Sequence, residues 1–158
     1  AYNGHTVTAM DIDDQKLATA RRLGAHAVIN SQTDDVQNAL HDLTAGDGFD
    51  VVIEAVGLPS TYLQAVELVA VTGRIVYIGY VKEPVAFETK LFVSKELDIR
   101  GARNMLVTEM QAVMRMLSEG YVDLNPLITK KYQFTQGPEA LQFWDKNPAL
   151  VTKLLLVT

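Results

Sequence analysis

Asp11 closes a short β-rich run, Thr6–Met10, and a carboxylate at that place has a definite chemistry. Just after the second strand of a dinucleotide-binding sheet, an aspartate accepts both ribose hydroxyls of an adenosine and repels a 2′-phosphate, which favours NAD over NADP. The same side chain can instead help cap the next helix, although Asp13 and Asp14 stand closer to that task. Lys16, in the first turn of that helix, can reach the same ribose or remain a solvated lysine. Gly57 and Gly79 follow directly on apolar runs, where glycine lets backbone approach a flat ligand or simply ends a strand. Arg103 and Asn104 follow a fifth such run. A guanidinium and an amide there can bind a carboxamide, a phosphate or a sugar acid, or form a surface loop in which Asn104 caps a helix.

Other chemistries are missing. The chain has no cysteine, which removes disulfides, thiolate catalysis and the commonest zinc sites. His5, His26 and His41 are too scattered for a metal cluster or a triad, and His26, at a strand start, reads as packing or surface. No G-x-S-x-G elbow, G-x-G-x-x-G turn or Walker loop occurs.

The elements that position these residues alternate in period along the chain. After Thr6–Met10 comes a helix over Asp13–Leu23, with acidic residues first, Arg21 and Arg22 last, and Gly24 to stop it. Ala27–Ile29 is a second short strand, followed by a helix over Thr33–Thr44 with Val36, Ala39, Leu40 and Leu43 on one face. Asp50–Ala55 is nearly all apolar, as expected of a strand with helices on both sheet faces. A helix over Pro59–Val71, a strand Arg74–Tyr80, a helical piece Thr89–Lys95 and a strand Leu97–Ala102 continue the alternation. The helix Thr108–Glu119 carries Met110, Val113, Met114 and Leu117 at core spacing. An extended edge segment Ile128–Phe134, a helix from Gly137-Pro138 and a buried strand Lys153–Val157 end the pattern. Strands separated by helices predict a doubly wound parallel α/β sheet, with ligands at the carboxyl ends of its strands.

At 158 residues the chain matches one domain, and 48% hydrophobic with 21% charged residues is ordinary for a globular protein. The net charge of −5 and the lack of a basic stripe argue against nucleic acid, and no apolar run is long enough for a bilayer. The opening has no secretion signal, which points to the cytoplasm.

Several segments together resemble zinc-dependent medium-chain alcohol and polyol dehydrogenases. They are TVTAMDIDDQKLATARRLGAHAVIN, DVVIEAVG, GRIVYIGY, IRGARN, LITKKYQF and TKLLLVT, in the family's order. The GARN loop is most similar to the polyol, butanediol and sugar-acid dehydrogenases. The resemblance implies a Rossmann-like dinucleotide-binding domain over residues 1–158, with NAD as cofactor and an alcohol, polyol or sugar acid as substrate. It assigns Asp11 and Lys16 to the adenosine ribose, and Val56 and Gly57 to the strand end beside adenine. Ile78, Gly79 and Tyr80 fall on the nicotinamide side, Ala102, Arg103 and Asn104 beside the carboxamide, and Lys153 near the pyrophosphate. The family's catalytic zinc takes its Cys, His and Glu ligands from a preceding domain, so neither metal-binding nor catalytic residues are expected in this chain. Subunit contacts near Val81–Phe87 imply a homo-oligomer.

Measured against that family, the first strand and the glycine-rich loop are lacking, and Ala1–His5 reads as the last turn of the helix that follows them. In the strand order 3-2-1-4-5-6 the lacking strand is central. Its neighbours, Thr6–Met10 and Asp50–Ala55, would then pair with a longer chain's own strand, with each other, or with another copy, because each buried unpaired backbone group costs roughly 1–3 kcal/mol. Two rival readings are a non-catalytic nucleotide-binding or dimerisation module and a methyltransferase-like fold for S-adenosylmethionine. The GARN loop and the LITKKYQF and TKLLLVT segments oppose the second.

Overall fold

Asp13 starts the first helix as predicted, but as its cap rather than in its first turn. Its Oδ1 accepts from Gln15 N at 2.8 Å and Lys16 N at 3.3 Å in the computed structural model, which describes residues 3–158. The elements in order are β1 (Thr8–Asp11), α1 (Asp14–Arg22), β2 (Ala27–Asn30), α2 (Val36–Thr44), β3 (Phe49–Glu54), α3 (Pro59–Leu68) and β4 (Val69–Tyr77). They continue with α4 (Lys90–Ser94), β5 (Asp98–Gly101), α5 (Val107–Ser118), β6 (Lys130–Gln133), α6 (Gly137–Lys146) and β7 (Leu154–Val157). Among the described residues the strand pairings are all parallel, giving the expected Rossmann-like α/β class. No described helix is long and apolar enough to cross a membrane.

The chain divides into two compact units. In Ala1–Asn30 with Val107–Thr158, β1 pairs with β2 under α1, whose Leu17 is buried, and β6 pairs with β7. Tyr132 of β6 is buried beside Phe143 of α6, and Lys130 Nζ stands 4.7 Å from the Tyr132 ring. In Ser31–Leu106 the sheet order is β3-β4-β5. Its core joins Ala65, Val66, Val69 and Ile75, with Val52, Phe87, Leu91, Phe92 and Leu97 packed against them. Within the units, the hydrogen-bonded strand orders among the described residues are β1-β2, β6-β7 and β3-β4-β5.

Several expectations are corrected. The fourth strand begins at Val69, not Arg74, because α3 stops at Leu68 and the chain is extended from Val69. Phe49 pairs with Val69 but Val51 with Arg74, so β4 carries a wide bulge, and Thr72 within it has φ +60°. Lys95 closes this region. Its Nζ donates to the carbonyls of Val66, Glu67 and Val69 at 2.8–3.0 Å, which satisfies the free end of α3, and its own carbonyl accepts from Thr72 N.

Nor is the third strand covered on both faces. Val52 and Ile75 face the core, but Val51 and Ile53 are 50% and 62% exposed. That outer face also holds Arg74, Asp98 and Arg100, where Asp98 pairs with Arg74 Nε at 2.7 Å and Arg100 Nη2 at 2.9 Å. The methionine stripe of α5 is likewise not core, since α5 buries no residue and Met114 is 62% exposed. The segment ending in β7 pairs with β6 but is only partly buried. Ala1 and Tyr2 of the proposed helical turn lie outside the described residues; Asn3 and Gly4 form a turn and a bend, with Gly4 at φ +80°.

Candidate functional site

Three strands of Ser31–Leu106 end side by side, and the loops that follow them carry most of the residues singled out from sequence. Glu54 is the last residue of β3 and is 5% exposed, in a strand whose other residues are mostly apolar. Its Oε1 accepts from Val56 N at 2.9 Å, Gly57 N at 2.8 Å and the Thr61 hydroxyl at 2.7 Å. Its backbone oxygen accepts from Ile78 N at 2.8 Å and Gly79 N at 3.0 Å. One residue therefore ties its own loop to the loop after β4.

That closeness explains both glycines. Gly57 has φ +83°, and a Cβ there would stand 2.7 Å from Tyr80 N. A Cβ on Gly79 would fall on Glu54 Oε2 and Gly57 N. Both glycines are required by contact between the two loops, rather than by a ligand or by the end of a strand.

Beyond these loops a cleft of about 650 Å³ opens, within the range of small-ligand sites. Ile78, Gly79 and Tyr80 line one side, Gly101, Ala102 and Arg103 the other, and Tyr62 and Tyr77 also reach it. Five predicted residues thus meet in one place: Ile78, Gly79, Tyr80, Ala102 and Arg103. Ala102 N donates to Tyr77 O at 3.0 Å, which holds the β5 side in register with β4. Val56 and Asn104 are exposed and do not line the cleft. Asn104 precedes α5 by three positions and so does not sit at its first turn.

The Tyr62 and Tyr77 rings stack with centroids 4.1 Å apart. Tyr62 OH donates to Gly79 O at 2.6 Å and Tyr77 OH to Tyr62 O at 2.9 Å. Burial first, then the neighbouring Tyr62 and Glu54, pushes the Tyr77 phenol up to about 12.

Asp11, Lys16 and Lys153 belong to the other unit. Asp11 ends β1, half-buried, and its Oδ1 accepts from Ile12 N at 2.8 Å and Asp13 N at 3.0 Å. It orders the turn, while Asp13 caps the helix. Among the described residues Asp11 Oδ2 has no hydrogen-bond donor, leaving it available to a hydroxyl pair. Asn30, buried at the end of the neighbouring strand, supports this turn by donating to Asp14 Oδ1 at 2.7 Å. Lys16 is exposed on α1, and Lys153 is exposed just before β7, its carbonyl bonded to Thr129 N. His26 Nδ1 accepts from Val7 N at 3.1 Å, a structural contact.

Glu54, Tyr62 and Asn30 were missed from sequence. The available signal for Glu54 was a carboxylate closing an apolar strand, since burial of a charge demands partners.

The zinc-binding dehydrogenase family pattern matches residues 1–119. The chain is 35% identical over 132 residues to L-threonine 3-dehydrogenase of Bacillus velezensis, covering 82% of this chain and 38% of that protein. Its fold superposes on L-idonate 5-dehydrogenase of Escherichia coli with a TM-score of 0.85 at 27% identity, covering 97% of this chain and 43% of that one. A short chain alcohol dehydrogenase from E. coli, complexed with cofactor NADH, gives 0.85 at 26% identity over 100% and 46%. The chain thus spans about two fifths of these relatives' length. For the family's zinc, no three metal-ligating side chains converge among the described residues and the chain has no cysteine, so the residues present do not fit that metal. The matched pattern, the shared fold and the strand-end cleft together place this chain in the zinc-binding dehydrogenase family.

Proposed function

We propose that this chain, as a single dinucleotide-binding domain, holds NAD for a dehydrogenase that moves hydride between the cofactor and an alcohol, polyol or sugar acid. The observation that carries the reading is the cleft where Ile78–Tyr80 and Ala102–Arg103 meet at the carboxyl ends of β4 and β5. Backbone from both loops would flank the nicotinamide and its carboxamide, with Arg103 and Asn104 beside the latter. Val56 and Gly57 would lie toward adenine. Asp11 would take the adenosine ribose through Oδ2, with Lys16 near it and Lys153 toward the pyrophosphate. The bound cofactor supplies hydride acceptance; these residues bind it, orient its ring and exclude a 2′-phosphate. Zinc chemistry is assigned to residues outside this chain. A homo-oligomer and a cytoplasmic setting accompany the reading on family resemblance.

Calorimetric titration with NAD and NADP tests it. NAD binds more tightly to the unmodified chain, and Asp11→Ala removes the preference. Equal affinity for the two in the unmodified chain would overturn the assignment.

A further inference from the structure

The Gly79 peptide at the cleft is gripped from two directions by residues outside its own loop. Its N–H donates to Glu54 O at 3.0 Å, and its carbonyl accepts from Tyr62 OH at 2.6 Å. Both grips are anchored in turn. The Glu54 carboxylate is fixed by Val56 N, Gly57 N and Thr61 Oγ1, and Tyr62 is stacked on Tyr77 and accepts that residue's hydroxyl through its backbone. Thr61 and Tyr62 are consecutive in the first turn of α3, so one helical turn reaches the β3 loop with one residue and the β4 loop with the next. Thr61 Oγ1 also lies 3.0 Å from Leu58 O, but its single proton is better placed for Glu54 at 2.7 Å.

A buried carboxylate is a costly end for an apolar strand unless several donors meet it. Three do, all on Oε1, while Oε2 has no hydrogen-bond partner among the described residues and faces the space that a Gly79 side chain would fill. Glu54 is therefore arranged around loop placement rather than around its own solvation.

We propose that Glu54 and Tyr62 are positioning residues that fix the Gly79 peptide, and with it the distance across the cleft from Ile78–Tyr80 to Ala102–Arg103, at the width a nicotinamide ring needs. The proposal rests on the dinucleotide reading above. It assigns neither side chain a contact with reacting atoms.

Tyr62→Phe keeps the stack and removes one hydroxyl; Glu54→Gln keeps the shape and removes the charge. Affinities for NAD and for ADP-ribose, which lacks the nicotinamide, are measured by calorimetry on the full chain. NAD binding weakens about fivefold in Tyr62→Phe and about tenfold in Glu54→Gln, the scale of one neutral and one charge-assisted hydrogen bond. In Tyr62→Phe, ADP-ribose binding changes less than about twofold, because the lost hydroxyl meets only the Gly79 carbonyl on the nicotinamide side. In Glu54→Gln, whose carboxylate also holds Val56 N and Gly57 N on the adenine side, it weakens, but by less than NAD binding. Equal losses for the two ligands, or none, would overturn the proposal. Amide hydrogen exchange at Gly79 and Tyr80 provides a second reading without ligand. It accelerates in both variants if the brace holds this peptide, and unchanged rates would sink the brace. Accelerated exchange in a chain that binds neither nucleotide would keep the brace, overturn the nicotinamide role given to it, and remove the dinucleotide reading.

Discussion

At the end of β1, Asp11 is held by its next neighbours, Ile12 N and Asp13 N, and keeps one oxygen without a donor among the described residues. At the end of β4, the Gly79 peptide is held by Glu54 from one strand and Tyr62 from a helix, with no room for a side chain. The contrast follows from what each rim offers. A side chain that accepts hydroxyls needs only its own turn ordered. A backbone edge meant to lie along a ring has no rotamers to adjust, so neighbouring elements must place it. Local sequence is enough for the first kind of site, and tertiary contact is needed for the second.

The sharpest break of this comparison is Gly79→Ala. The new methyl collides with Glu54 and Gly57, and overpacking of this kind costs about 3 kcal/mol, measurable by urea denaturation. A loss under about 0.5 kcal/mol, the scale of an ordinary surface change, would show that the β4 rim is loose. On the other rim, Asn30→Ala removes the bond to Asp14 and lowers stability by about 1 kcal/mol in the same assay. Asp11→Asn is milder still. Its retained oxygen can keep the turn, so stability stays within about 0.5 kcal/mol while the preference for NAD over NADP shrinks. Should Asp11→Asn prove as damaging as Gly79→Ala, the two rims are not built differently.

Two titrations sharpen the picture with smaller effects. The Tyr77 phenol is raised from 10.0 to about 12, so the stability tied to its neutral form is complete below pH 10 and fades as pH rises through 12. Phenolate absorbance should show this tyrosine ionising last, and Tyr62→Phe should bring it earlier. Asp98 moves the opposite way, lowered from 3.8 to about 2 by hydrogen bonds from Arg100 and then Arg74. Its contribution is present above pH 4 and lost as pH falls toward 2. Because the group is exposed, Asp98→Asn should flatten the stability profile in that window only slightly.

Much of the architecture was readable because alternation of period is a local property. Asp11 and the glycines at strand ends stood out for the same reason, helped by the resemblance. What escaped reading depends on distant partners. Glu54 looks like a solvent-facing carboxylate until Thr61 and the two loops are seen around it. The start of β4 was hidden because Leu68, Val69, Ala70 and Val71 form one apolar run, in which Lys95 and the bulge opposite β3, rather than any residue within it, separate helix from strand. The Met110–Met114 spacing correctly marked a helix, but spacing reports an amphipathic face and not what lies against it.

The outer face of β3 has a practical consequence for handling the protein. Among the described residues β3 ends its sheet with Val51 and Ile53 exposed, and such an edge invites strand addition between molecules at high concentration. The gatekeepers against it are Asp50 on the same strand and the Arg74–Asp98–Arg100 group across the sheet. Raising the ionic strength screens them, so concentrated stocks keep better in dilute buffer than in brine.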